Sequence, residues 1–122
     1  MSKRGDREYI RDILIACENI MCYKEGYDFD MFISDRRTQD AIVRNIEIIG
    51  EAVKNVSENL KKKYREIEWI EIAKTRDKLI HSYFGIDLDI VWDIITVDIP
   101  PLKEQIKEII QREGWNHKNS EL

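Results

Sequence analysis

The chain contains 122 residues, which is the length of a single domain. Hydrophobic residues make up 43% of it and charged residues 36%, with only five Gly and two Pro, a composition that excludes disordered and all-β classes and is typical of a helix-rich globular protein. The formal net charge of −4 argues against indiscriminate nucleic-acid binding. Residues 36–78 are nevertheless locally basic, with 11 Lys and Arg against 8 Asp and Glu, whereas both ends are acidic. The same pattern is typical of solvated helix faces.

Targeting signals and disulfides are not expected. No apolar run approaches the ~18 residues of a membrane span, and no signal-peptide apolar region follows the first charged residues, so a cytoplasmic location without membrane contact is predicted. Cys17 and Cys22 fall five residues apart in one predicted helix and point to different faces, which makes them poor disulfide partners. Both are expected to be reduced thiols in the core.

The first helix is predicted from Asp6 to Lys24, because apolar residues recur there at helical spacing and Gly26 stands just beyond the end. The aromatic-rich residues 27–33 are expected to form a short turn across the bundle end. Ser34 or Asp35 should then cap the next helix.

The second helix is predicted over residues 36–56 and contains Gly50. A glycine inside a helix costs about 1 kcal/mol relative to alanine, so Gly50 indicates either the close approach of another helix or ligand, or simple tolerance. Ser57 is expected to cap a further turn or helix over residues 58–64, in which Lys61, Lys62 and Lys63 are interpreted as a solvated face.

The third helix is predicted from Trp69 to Phe84, with Gly85 as its stop. Asp87 is expected to be the N-cap residue of a fourth helix. Pro100 and Pro101 mark a break that can also start a fifth helix at its first turn.

These elements predict an all-α fold, an up-and-down bundle of four to five helices joined by short connections. No alternating strand pattern occurs in the sequence. Residues 1–113 are expected to form the helical domain, and residues 114–122 a polar, flexible tail.

The third helix carries the residues of greatest chemical interest, at positions 76–83. Helical spacing places Arg76 on the apolar face of this helix, between Ala73 and Ile80. A guanidinium keeps its proton and is costly to bury unpaired, so a packed arginine requires a carboxylate, backbone carbonyls or an anionic ligand. His81 is the only histidine outside the C-terminal tail. Asp77 precedes it by four residues and can bond an imidazole nitrogen and set its tautomer.

A histidine beside a guanidinium fits acid–base chemistry at a phosphodiester, where histidine moves a proton and arginine stabilises charge on the phosphate. Cleavage of RNA through its own 2′-hydroxyl needs a base, an acid and a cation. One chain offers a single suitable histidine, and a symmetric homodimer would offer two. The sequence has no His or Cys cluster at metal-ligand spacing, no glycine-rich phosphate loop and no serine elbow, so neither a metal nor a cofactor is expected.

The spacing alone also permits a structural interpretation. His81 would then be a structural histidine at a helix end, and Arg76 would be paired to a carboxylate of the second helix such as Glu51.

Residues 68–87 contain the spacing Arg-x4-His-x-Tyr, formed by Arg76, His81 and Tyr83, with the polar Asp77 after the arginine. Together with residues 44–52, 91–92 and 98–102, this segment resembles the HepT-like toxins of the HEPN superfamily, whose hallmark is this spacing. The resemblance covers the middle of the chain, from the second predicted helix to the start of the fifth.

The resemblance implies a dimeric helical ribonuclease, the toxin half of a toxin–antitoxin pair, with Arg76 and His81 as catalytic residues in a cleft between protomers. It also implies a partner, a minimal nucleotidyltransferase antitoxin that transfers AMP from ATP to the motif tyrosine, here Tyr83. Such a modification would place bulk and negative charge where phosphate binds, and would block RNA.

Two other hypotheses stay open. In the first, the same Arg and His cleft belongs to a non-catalytic module that holds a nucleotide or docks the nucleotidyltransferase. In the second, the chain is a purely structural dimeric bundle, which leaves Arg76 unexplained.

Overall fold

The computed structural model describes residues 4–80 and 87–115, and in these ranges every regular element is helical. The α-helices are α1 (Asp6–Lys24), α2 (Phe29–Ile33), α3 (Arg36–Asn55), α4 (Glu58–Lys63), α5 (Trp69–Ile80), α6 (Leu88–Asp93) and α7 (Ile99–Arg112), and a π-helical segment (Ile94–Asp98) joins the last two. The predicted all-α helical bundle is confirmed. The last residues of the predicted third helix and its Gly85 stop lie outside the described residues.

Helix α1 is the centre of the bundle and packs against both α3 and α7, while α5 packs against α3. The core is built mainly from aliphatic side chains at helical spacing. Its fully buried members are Ile10, Ile13, Cys17, Ile20, Phe32, Ile42, Val53, Val91, Ile95, Ile106 and Ile109. Burying each such side chain contributes about 1.5–3 kcal/mol, so the core stabilises the frame that holds α5.

The helix starts follow the capping chemistry read from the sequence. The side chains of Asp35, Ser57 and Asp87 accept hydrogen bonds from backbone N–H groups in the first turns of α3, α4 and α6. Gly26 follows α1 with a φ of 81°, a conformation that glycine adopts without strain.

Two expectations about connections are wrong. Residues 27–33 contain the short helix α2, capped by Asp28, where only a turn was expected. Pro100 lies in the first turn of α7 as expected, but no break precedes it, because the backbone continues from α6 through the π-helical segment into α7. Proline cannot donate to the carbonyl four residues earlier and its ring crowds that carbonyl, and a wider π turn is one way in which a helix accommodates this.

The two cysteines differ in environment. Cys17 is fully buried, and burial raises the pKa of its thiol to about 12. Cys22 is exposed, so the expectation that both thiols belong to the core is wrong for Cys22. Its position at the end of α1, beyond the last buried residue Ile20, accounts for the difference.

Two polar contacts tie distant helices together at the ends of α4. At its start, the Asp6 carboxylate accepts hydrogen bonds from the Ser57 backbone N–H at 2.8 Å and from the Ser57 hydroxyl at 2.6 Å. After its end, the Tyr64 hydroxyl donates to Glu113 at 2.6 Å, and Lys63 lies 2.7 Å from the same carboxylate oxygen. Helix α4 is therefore fastened to the first residue of α1 and to the end of α7.

Within residues 4–80 and 87–115, no helix combines the length and the apolarity that crossing a bilayer requires. Trp115 is partly buried against the core after the end of α7. Residues 116–122 of the predicted tail lie outside the described residues.

Candidate active site

Arg76 lies where α5 crosses α3, directly over Gly50. A Cβ atom at position 50 would stand 2.1 Å from Cβ of Arg76 and 2.5 Å from its Cγ, distances that no pair of unbonded carbon atoms can occupy. Only glycine therefore allows the two helices to approach this closely with Arg76 between them. Of the two interpretations of Gly50, the close approach of another helix is confirmed.

The guanidinium of Arg76 is held by two carboxylates. Nη1 donates to Oδ1 of Asp77 at 3.1 Å, and Nη2 lies 3.2 Å from Oε1 of Glu51. The side chain retains 24% of its exposure, so the charged end reaches solvent while the aliphatic part is covered. Nε is buried and makes no hydrogen bond within the described residues. The structure thus contains the pairing of Arg76 with Glu51 that the sequence suggested. This pairing does not exclude a functional role for Arg76.

Asp77 is shared between two cations. Nζ of Lys54 lies 2.7 Å from Oδ1, the same oxygen that accepts the hydrogen bond from Arg76. Lys54, and next Arg76, hold the pKa of this carboxyl below its ordinary value. Asp77 thus stays ionised and links Lys54 of α3 to Arg76 of α5.

Lys54 was not found from the sequence. It lies three residues after Glu51, so both side chains project from one side of α3. This spacing could have indicated Lys54 as the partner of Asp77 only if the packing of α5 against this side of α3 had been known.

A shallow pocket of about 210 Å³ opens beside Arg76, between α1 and α3. Its lining combines polar and apolar groups: Tyr9, Asp12, Arg44, Glu47, Ile48, Glu51, Ala52, Asn55 and Arg76. Arg44 pairs with Glu47 at 3.8 Å, so a cation and an anion flank the opening. The pocket gives Arg76 an approach from solvent.

The other predicted site residues, His81 and Tyr83, lie outside the described residues, as does any bond between Asp77 and His81. Arg76 and Asp77 are adjacent on the last turns of α5, which ends as described at Ile80. The described residues contain no group of three or more His, Cys, Asp or Glu side chains arranged to hold a metal ion.

Comparison with known proteins decides the family. The family described as "Ribonuclease HepT-like" matches residues 13–109, from within α1 to within α7. The chain belongs to the HepT-like ribonuclease family.

Relatives of this HepT-like protein match it over nearly their whole length. "Putative RNase MJ0127" of Methanocaldococcus jannaschii is 41% identical over 120 residues, which is 98% of this chain and 99% of that protein. "Putative RNase TTE0752" of Caldanaerobacter subterraneus is 45% identical over 107 residues, 88% of this chain and 96% of the relative. "Probable ribonuclease HepT" of Thermococcus cleftensis is 42% identical over 107 residues, 88% and 97% of the two chains. No solved structure matches the chain.

Proposed function

We propose that this HepT-like protein is the toxin half of a toxin–antitoxin pair, a metal-independent endoribonuclease whose active site forms between two protomers of a homodimer. The observation that carries the proposal is the placement of Arg76, a guanidinium fixed over Gly50 by Glu51 and Asp77 and five residues before His81. Membership of a ribonuclease family supports the choice of RNA as substrate.

The fixed guanidinium is suited to a phosphate whose charge increases during reaction. Its hydrogen bond to Asp77 uses one N–H of Nη1, and its contact with Glu51 is an ion pair at Nη2, so each Nη atom keeps at least one further donor. These remaining donors can meet the non-bridging oxygens of a phosphodiester. Because the two carboxylates hold the guanidinium in place, little reorganisation is needed when negative charge develops on the phosphate.

Cleavage proceeds through the ribose next to the broken bond. The 2′-hydroxyl oxygen attacks phosphorus, its proton passes to a neutral His81, and the bond from phosphorus to the 5′-oxygen breaks. The leaving oxygen takes a proton from a protonated His81 of the partner subunit, so that one histidine serves as base and the other as acid. The products are a 2′,3′-cyclic phosphate and a 5′-hydroxyl, and no metal takes part.

Neutralisation follows from AMP transfer to Tyr83 by a minimal nucleotidyltransferase antitoxin in the cytoplasm. The phenol oxygen attacks the α-phosphorus of ATP, pyrophosphate leaves, and the phenol proton is released. Tyr83 stands two residues from His81, so the added phosphate would repel the RNA backbone from the site.

A second candidate is a non-catalytic module that binds a nucleotide or the antitoxin. The pairing of Arg76 with Glu51 and Asp77 supports it equally, since a guanidinium held by two carboxylates can bind a phosphate without cleaving it.

The test is cleavage of a labelled single-stranded RNA in excess chelator by wild type, Arg76→Ala, His81→Ala and the control Arg112→Ala. Arg112 pairs with Glu108 on the exposed side of α7, so its removal deletes the same charge from a helix that carries none of the candidate site residues. Wild type and the control should cleave, and the two site variants should lose activity by about 10²-fold or more.

Circular dichroism and the intact mass complete the experiment. Melting curves must show that all variants fold, and the mass must show that Tyr83 carries no AMP. RNA binding without cleavage by folded, unmodified wild type would favour the non-catalytic module and reject the nuclease.

A further inference from the structure

The charges around Arg76 leave the site without net attraction for RNA. Arg76 and Lys54 are the two cations, and Glu51 and Asp77 are the two anions that contact them. A polyanion is bound mainly by cations that no protein carboxylate neutralises. If RNA is cleaved at Arg76, other cations close to this cluster must hold its backbone.

Such cations line a groove that begins at the Lys54–Asp77 pair. The groove has a volume of about 620 Å³ and runs between the end of α3, helix α4 and the start of α5. We name it the lysine groove after its basic residues, which are Lys54, Lys61, Lys62, Arg65 and Lys74. Lys54 lines the groove and also pairs with Asp77, which contacts Arg76, so the groove is continuous with the surroundings of Arg76.

Three of these cations make no ion pair within the described residues. Lys54 pairs with Asp77, and Lys61 lies 3.8 Å from Glu58, but Lys62, Arg65 and Lys74 are exposed and have no carboxylate within ion-pair distance. Their charges are therefore free to meet an anionic ligand. The sequence interpretation of the lysine run as a solvated face does not explain why Arg65 and Lys74 of other segments converge on it.

Carboxylates line the grooves on both sides of α5, and the lysine groove holds four of them, Glu58, Glu68, Glu71 and Asp77, beside its five basic residues. A second groove, on the other side of α5, is lined by Glu66, Glu68, Glu71 and Asp98, and by no Lys or Arg among the described residues. Glu68 and Glu71 stand on the wall that the two grooves share. The second groove is lined by carboxylates without a basic residue, whereas the lysine groove has one more basic residue than carboxylates, so a polyanion that reaches Arg76 is favoured on the side of the lysine groove.

The lysine groove also offers an apolar contact. Ile70, on its α5 wall, keeps 70% of its exposure, the largest value among the exposed large hydrophobic side chains described. It lies one helical turn before Lys74 on the same face of α5. A sugar or base lying over Ile70 would place an adjoining phosphate near Lys74.

We propose that the lysine groove binds the sugar–phosphate backbone of single-stranded RNA on one side of the phosphodiester held by Arg76, through Lys62, Arg65 and Lys74. This inference rests on the proposed ribonuclease function and adds to it the path of the substrate. The groove residues bind and position RNA and take no part in the chemical step.

The test compares two triple variants that lose the same charge. The groove triple is Lys62→Gln, Arg65→Gln and Lys74→Gln, and the control triple is Arg7→Gln, Arg37→Gln and Lys107→Gln, whose exposed residues lie on α1, α3 and α7. Binding of a fluorescent single-stranded RNA with 2′-O-methyl riboses, which cannot be cleaved, is followed by anisotropy over a range of salt concentrations. Cleavage of the matching unmodified RNA gives kcat and KM.

The groove triple should bind about tenfold or more weakly than the control triple at equal salt. Its plot of log Kd against log salt should be shallower by about 2, because each lost phosphate contact removes about 0.7 from the slope for a single strand. KM should rise while kcat at saturating RNA stays close to that of wild type. Ultraviolet cross-linking of wild type to 4-thiouridine RNA should place adducts in residues 61–74, a measurement that needs no variant.

The two proposals fail in different ways. If wild type cleaves RNA while the groove triple binds and cleaves as the control triple does, the lysine groove is overturned and the ribonuclease stands. The same conclusion follows if the cross-links avoid residues 61–74. If wild type neither binds nor cleaves any RNA tested, both proposals are overturned.

Discussion

Gly50 is the residue on which the position of Arg76 depends. We predict that Gly50→Ala lowers RNA cleavage by about tenfold or more and destabilises the fold by about 1–3 kcal/mol, the usual cost of overpacking a close contact. The added methyl would stand 2.1 Å from Cβ of Arg76, so α5 or the arginine must move. Helix propensity alone predicts the opposite sign, since alanine is favoured over glycine by about 1 kcal/mol inside a helix.

Gly5→Ala, at the N-cap of α1, is the control for a glycine replacement without a clash, because a Cβ there meets only Oε1 of Glu8 at an ordinary 3.5 Å. Chemical denaturation and the cleavage rate are measured on the same preparations. Unchanged activity in a stabilised Gly50→Ala variant would show that the approach of α5 to α3 does not position Arg76.

The sequence determined the neighbours of Arg76 only in part. An arginine within an apolar stripe requires a partner, and Glu51 could be named because it lies on the helix predicted to pack beside it. The contact between Lys54 and Asp77 depends on the rotation of α3 against α5, which helical periodicity does not fix. The same limit applies to the lysine groove, whose cations come from three helices or their ends.

Helix ends were more predictable than helix connections. The caps at Asp35, Ser57 and Asp87 each use a side chain whose preference for that position is local, so sequence alone sufficed. Helix α2 is five residues long, too short for an apolar period to appear. The π-helical segment was missed because Pro100 and Pro101 signal a helix start equally well after a loop or after a continuous helix.

The contacts of Glu113 with Lys63 and Tyr64 link the end of α4 to the end of α7. They predict a pH dependence of stability. Lys63 first, and then the Tyr64 hydroxyl, hold the pKa of Glu113 below its ordinary value of 4.5. A depressed carboxyl pKa adds stability that is fully present above the unfolded value and is lost as pH falls through the folded value. Glu113→Gln should therefore lower Tm at pH 7 and have progressively less effect below about pH 4.5.

Thermal melts of wild type and Glu113→Gln from pH 3 to pH 8 measure this difference. Glu108→Gln, on the exposed side of the same helix, serves as the control for loss of a carboxylate. A Tm difference that is constant over the whole pH range would show that the ionised Glu113 carboxylate does not stabilise the fold.

For the whole molecule, the proposed cleavage reaction requires that two protomers share the chemistry. One chain supplies a single histidine outside its tail, whereas cleavage through the 2′-hydroxyl uses an acid and a base. We predict that cleavage per protomer falls when the protein is diluted through the concentration at which dimers dissociate. Analytical ultracentrifugation gives that midpoint, and the midpoint of activity should coincide with it. Constant activity per protomer through dissociation would mean that one chain is sufficient.

The chemical structure of the cleaved RNA ends tests the proposed cleavage reaction directly, and it is obtained by mass spectrometry after digestion in excess chelator. If Arg76 and His81 catalyse attack by the 2′-hydroxyl, the upstream fragment ends in a 2′,3′-cyclic phosphate and the downstream fragment begins with a 5′-hydroxyl. A single 2′-deoxyribose at the cleaved position should abolish cutting there. Fragments with a 5′-phosphate, or cleavage that survives the 2′-deoxy substitution, would show that the 2′-hydroxyl is not the nucleophile.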